Sequence, residues 1–215
     1  MEGKFISFEG SEGCGKSTQI ELLTDCLKEH GIPAIILREP GGTPLGESIR
    51  HLLKHDPAGF GMTSEAELLL FAASRAELVR KTILPTLAKG HWVLCDRFLD
   101  STVVYQGMGR GLPLDILQTI NHFATSGRLP DLTLLLDLDL EEARRRVMHR
   151  VRPVDAHDRI ESLPEEFFKK VREGYLSLVR EHPQRVKLID ASASKSDLAK
   201  IILKEIQHAF HLRLD

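Results

Sequence analysis

The chain has 215 residues, 28% of them charged and 42% hydrophobic, and its 29 Lys+Arg against 31 Asp+Glu give a formal net charge of −2. That length fits one domain (residues 1–215) with a large buried core. The even charge supplies no global basic field for nucleic acid or an anionic membrane. Three cysteines (Cys14, Cys26, Cys95) without C-x-x-C spacing argue against a disulfide framework and favour a reducing cytoplasm. The first residues lack the features of a signal peptide, and the longest apolar run, residues 68–73, is far too short to span a membrane. The ten histidines suggest no metal site.

In chain order, residues 4–9 (KFISFE) read as a buried strand and 17–30 as a helix stopped by Gly31. Residues 34–38 (AIILR) form a second strand, followed by a turn-rich loop and a helix over about 45–55. A long helix over about 64–88 should bend or break near Pro85. HWVLCD (91–96) is the third strand. A loop and a helix around 114–125 lead to the strand LTLLLDL (132–138) and a helix over 141–148. The chain closes with a helix near 164–180, the strand VKLID (186–190) and a last helix from about 196. Five strands alternating with helices predict an α/β fold: a five-stranded parallel sheet covered on both faces. Ligands of such sheets sit at the carboxyl ends of the strands. Residues 150–162 (RVRPVDAHDRIES) read as a mobile functional loop, basic at its start.

Gly10-Ser-Glu-Gly-Cys-Gly-Lys16-Ser17 matches G-x-x-x-x-G-K-[ST] between a strand and a helix. Gly10, Gly13 and Gly15 let the backbone N–H groups of residues 10–18 (Ser11, Glu12, Cys14 and Thr18 among them) cradle ATP phosphates. Lys16 would bridge the β- and γ-phosphates, and the Ser17 hydroxyl would bind Mg²⁺. Asp96 closes an apolar strand where a Walker-B carboxylate belongs. Cys14 beside Lys16 at a helix N-terminus should be a reactive thiolate, alkylated unless ATP covers it. Two GTPase-like stretches fail on context. Residues 56–59 (DPAG) follow a helix, and 194–197 (SKSD) read as a helix cap. Arginines instead crowd the loops: Arg38, Arg97, Arg150, Arg152 and Arg159, with Arg50 and Arg75 on helices between them. Forked guanidinium groups suit a transfer between two nucleotides.

FEGSEGCGKST, REPGGT, LLFAASRAE, DRFLDSTVVYQG and DRIE, in this order and spacing, resemble the bacterial-type thymidylate kinases over about residues 4–209. DR-[FYH] followed by YQG is the most specific part. The resemblance implies a P-loop kinase fold with a short lid insertion at about 149–162, a homodimer, ATP and Mg²⁺ as cofactors, and conversion of dTMP to dTDP. By matched position it implies that Phe71 stacks on thymine, Arg75 and Arg50 lie near its carbonyl edge, and Thr102 and Gln106 approach the base. Tyr105 would face the deoxyribose, and Glu12 would accept the 3′-hydroxyl. Arg97, with Arg38 beside it, would hold the monophosphate. Asp96 would stand near Mg²⁺ through water, with Glu39 a weaker candidate. Gly13 stands where some members carry a basic residue, so the transition-state arginine would come from the lid, as Arg150 or Arg152. A kinase for another nucleoside monophosphate and a non-catalytic nucleotide-responsive module are the alternatives.

Overall fold

The computed structural model describes residues 2–149 and 158–214. Five parallel strands, β1 (Phe5–Glu9), β2 (Ala34–Arg38), β3 (Trp92–Asp96), β4 (Leu132–Asp137) and β5 (Val186–Asp190), form one sheet in the order β2-β3-β1-β4-β5. β1 is therefore central, with Ser7 level with Cys95 on one side and Thr133 on the other. The helices are α1 (Lys16–Glu29), α2 (Pro44–Lys54), α3 (Ser64–Leu78), α4 (Leu84–Ala88), α5 (Leu99–Thr102), α6 (Leu114–Thr125), α7 (Leu140–Met148), α8 (Glu165–Glu181) and α9 (Lys195–Phe210).

Strand alternation sorts the core. Ile6 and Phe8, Trp92 and Leu94, and Leu132, Leu134 and Leu136 point to one face, where α1 and α9 cover them. The opposite face carries two apolar clusters. Phe5, Val93 and Cys95 meet the end of α3, and Leu135 and Val186 meet α8. A polar seam runs between them: Ser7 Oγ lies 2.8 Å from Thr133 Oγ1, which donates to Asp100 Oδ2 at 3.0 Å. Arg185 closes the seam with a forked pair to Asp100 at 2.6 and 2.8 Å.

Strand positions match the sequence reading to within a residue. Capping explains the helix starts: Thr43 accepts from Gly46 N–H ahead of Pro44, and Ser194 accepts from Asp197 N–H, the cap read at residues 194–197. One expectation is narrowed and one is corrected. The long helix does not break at Pro85. It widens one turn earlier into a π segment (Val79–Ile83), which accommodates the missing N–H and the ring, and runs on into α4. The stretch after β3, expected as a loop, is helical. α5 continues into a second π segment (Val103–Gly109), whose Val104 and Tyr105 pack on Val171 and Tyr175 of α8. Gly174 permits that approach, since a Cβ there would stand 2.5 Å from Met108 Sδ. Packing against α8 outweighs the low helix propensity of Val103, Val104 and the glycines.

Asp100 is 1% exposed and Arg185 is its charged partner. Asp100→Ala leaves that guanidinium unpaired within the seam, and a loss of roughly 3 kcal/mol is expected from urea denaturation midpoints.

Candidate functional site

The switch point of the sheet lies between β1, from which the chain runs to β2 at one edge, and β3, from which it crosses to β4 on the other side. The loop leaving β1 turns through left-handed backbone at Gly10 (φ 131°), Gly13 (82°) and Gly15 (97°) into the N-terminus of α1. Side chains are not tolerated at Gly13, where a Cβ would stand 2.6 Å from Ala143 O. Lys16 is buried and curls back over the loop, donating to Ser11 O at 2.8 Å and Gly10 O at 3.2 Å. Ser17 donates to Asp96 Oδ2 at 2.9 Å, so the helix hydroxyl and the carboxylate closing β3 meet above the sheet. These two oxygen donors fit a hard divalent cation such as Mg²⁺. Among the described residues there is no cluster of three His, Cys, Asp or Glu that could hold a metal. The rings of His51, in the last turn of α2, and His55, which caps that helix, lie 6.2 Å from each other.

Cys14 departs from expectation. Its side chain has 0% exposure and belongs to the apolar cluster under the loop, with Sγ 3.7 Å from Lys16 Nζ. A thiol in that position is closed to alkylating reagents.

A cavity of about 240 Å³ opens beside this loop. The acceptor residues expected from the sequence, Glu12, Arg38, Arg50, Phe71, Arg75, Arg97, Thr102, Tyr105 and Gln106, all line it. Ser17 and Asp96 lie on its rim towards the phosphate loop. Arg150 and Arg152 fall outside the described residues.

Arg97 is held in left-handed backbone (φ 68°), unusual for a non-glycine residue. Its side chain donates to Tyr175 Oη at 3.2 Å and lies over the Tyr105 ring. The frame is Glu9, 0% exposed at the end of β1. Glu9 accepts from Phe98 N–H (2.8 Å), Ser101 Oγ (2.7 Å) and Tyr175 Oη (2.7 Å). Burial pushes its carboxyl up, opposed by Arg97.

Arg75 is also buried. It commits four of five N–H donors: two to Glu39 Oε2 (2.8 and 2.6 Å), one to Thr102 Oγ1 (2.9 Å) and one to Asn121 Oδ1 (2.7 Å). Arg50 donates to Pro40 O, and Arg38 pairs with Glu47 at the cavity mouth.

Sequence reasoning missed Glu9, Tyr175, Lys54, Asp158 and Glu67. Lys54 and Asp158 form a 2.6 Å pair on the cavity wall. Residues 158–162, expected as mobile, are anchored here: Arg159 N–H donates to Lys54 O and its guanidinium to Leu53 O and Glu67. Only the acidic and basic residue types hinted at these pairs, since Asp158 lies 104 positions from Lys54 and Arg159 lies 92 from Glu67.

A family model described as thymidylate kinase matches residues 8–202. The chain belongs to the thymidylate kinase family. It is 47% identical to the thymidylate kinase of Caldanaerobacter subterraneus subsp. tengcongensis over 96% of each chain. Identity to that of Symbiobacterium thermophilum is 48%, over 97% of this chain and 95% of the relative. The crystal structure of thymidylate kinase from Ehrlichia chaffeensis superposes with a TM-score of 0.76 at 33% identity, covering 96% of this chain and 100% of that one. The five-stranded parallel sheet is thus that of a P-loop kinase.

Glu39 carries a pH signature. Burial raises its carboxyl to about 7 against the opposing pull of Arg75, and its Oε1 has no hydrogen-bond partner among the described residues. The folded state then holds a proton that the unfolded chain releases near pH 4.5, so stability falls as pH rises from there through about 7. Glu39→Gln should flatten that slope, read as thermal midpoints between pH 5 and 8. An unchanged slope assigns it to other groups.

Proposed function

We propose a division of labour among these residues for the family reaction. As a thymidylate kinase, the chain phosphorylates dTMP to dTDP with ATP as donor, a step of dTTP biosynthesis. The observation that carries the residue assignment is the meeting of Ser17 with Asp96 on the rim of a cavity whose next wall residue is Arg97. Donor phosphates and acceptor phosphate would then approach one another at the carboxyl edge of β1 and β3, as direct in-line transfer requires.

In this reading the N–H groups of residues 10–18 cradle ATP, and Lys16 leaves the carbonyls of Gly10 and Ser11 for the β- and γ-phosphates. Ser17, with Asp96 through water, would hold Mg²⁺, which neutralises charge on the donor phosphates when bound. Arg97 faces the dTMP phosphate, with Arg38 at the mouth. Glu12 takes the 3′-hydroxyl and Tyr105 the deoxyribose. Phe71 stacks on the base, with Thr102, Gln106 and Arg50 at its edge. Arg75 has one N–H left for thymine and otherwise orients Thr102 and Glu39.

Homodimerisation belongs to the same reading. It is supported by apolar side chains that α6 leaves exposed, Ile116 at 49% and Phe123 at 75%, two helical turns apart on one face. The free cysteines fit a reducing cytoplasm. Among the described residues no helix is long and apolar enough to cross a membrane.

Two substitutions test the assignment. Lys16→Ala should lower kcat by about 10²-fold or more through loss of charge at the transferred group. Arg97→Ala should depress kcat/KM for dTMP far more than it changes ATP binding by titration. Equal loss for both ligands would make Arg97 structural. Comparing dTMP with dUMP, dCMP, AMP and GMP tests the base reading, and equal turnover of any of these would overturn it.

The arginines of the insertion are assigned to the transition state, since Gly13 offers no charge there. Replacing Arg150 and Arg152 together by Ala should reduce kcat, by up to ~10³-fold if they act as an arginine finger, with KM for dTMP little changed. Wild-type kcat in the double variant would exclude that role.

A further inference from the structure

Glu67 lies in the first turn of α3 and is 2% exposed. A carboxylate so placed is costly to bury unless donors surround it. Arg110 alone would neutralise it, donating from Nε to Oε1 at 3.2 Å and from Nη2 to Oε2 at 3.0 Å, with its guanidinium stacked on Phe167. Two further donors arrive. Gln106 Nε2 reaches Oε1 at 2.9 Å, and Arg159 Nη2 reaches Oε2 at 2.6 Å. Together the donors hold the carboxyl below the usual range despite its burial.

One of these donors lines the cavity and the other sits between residues that do. Gln106 belongs to the π segment after α5, beside Tyr105. Arg159 begins the return of the insertion and is fastened to the end of α2 by its bonds to Leu53 O and Lys54 O. Asp158, Ile160 and Glu161 on either side of it line the cavity. One carboxylate therefore cross-links α3, the π segment and the return segment. A plain charge pair would have needed only Arg110. Apolar residues of similar volume often replace buried ion pairs without loss of stability, so the arrangement calls for a reason beyond stability.

We propose that Glu67 is a positioning residue for the acceptor nucleotide: it fixes Gln106 in the cavity wall and couples that placement to the seating of residues 158–161. This rests on the reading of the cavity as the dTMP site. Without the carboxylate, Gln106 rotates away from the base edge and the return segment loses its anchor, so acceptor binding weakens while the ATP side is untouched.

The test is steady-state kinetics on Glu67→Gln, which keeps the shape and removes the charge. KM for dTMP should rise about tenfold, the scale of a lost charged hydrogen bond, with KM for ATP within about twofold of wild type. A lower melting temperature with both KM values unchanged would make Glu67 purely structural and overturn the proposal. A second arm does not depend on that variant folding. Gln106→Ala, Arg159→Met and their combination form a cycle between two side chains that meet at Glu67. A rise in KM for dTMP at least about threefold short of the product of the single effects supports the coupling. A rise equal to the product overturns it. Gln106→Ala and Phe71→Ala separate the two readings. If neither changes KM for dTMP, the cavity is not the acceptor site and the proposal falls with it. If both raise it while Glu67→Gln does not, only the role of Glu67 fails.

Discussion

A carboxylate buried at the end of the central strand must find every partner inside the protein, and Glu9 organises the site by finding them. Its three donors come from the turn after Arg97, from α5 and from α8, up to 166 positions from Glu9 itself. Satisfying Glu9 places Phe98 N–H against β1, which in turn holds Arg97 in left-handed backbone with its guanidinium towards the cavity. The phosphate loop begins one residue after Glu9, so both phosphate-handling segments hang from one group. Backbone pairing ties them as well, since Arg97 N–H donates to Phe8 O at 2.9 Å, and Glu9 adds the side-chain link to α5 and α8.

The cavity next to that frame is walled by guanidinium groups in two different states. Arg75 spends four of its five N–H donors on Glu39, Thr102 and Asn121 and acts as a rigid strut. Arg38 and Arg50 keep fewer partners, Glu47 and Pro40 O, and burial and the charge of Arg38 push Arg50 down. Fixed positive charge deep in the wall and adjustable charge at the entrance suit a ligand with a neutral base and an anionic tail. Phe71, flanked by apolar neighbours on α3, presents its ring to the same space.

Much of this was legible in the sequence because the signals were local. A strand, a glycine-rich turn, Lys16 and a helix occupy adjacent positions, and Asp96 announces itself by closing an apolar run. The acceptor residues came from the family resemblance; nothing in the periodicity of LLLFAASR distinguishes Phe71 from a core residue. Residues 99–109 misled because propensity counts glycines and β-branched residues against a helix, whereas packing on α8 decides it. Cys14 misled for a related reason. Its neighbours in sequence are the phosphate loop, but its side chain points into the core under α1. Glu9, Tyr175 and Glu67 were invisible because their meaning lies in partners far along the chain.

The pairing of distant segments also sets the order in which the enzyme is completed during its synthesis. β1 emerges first, yet its neighbours Val93 and Thr133 follow much later, and Tyr175, which closes on Glu9, later still. A nascent chain that has passed the phosphate loop therefore holds the motif without the frame. Such distant pairings form slowly, because the intervening chain must be ordered before they repay its lost freedom. The frame around Glu9 can therefore close only once α8 has been made, and until then the apolar side chains on the faces of β1 await their cover.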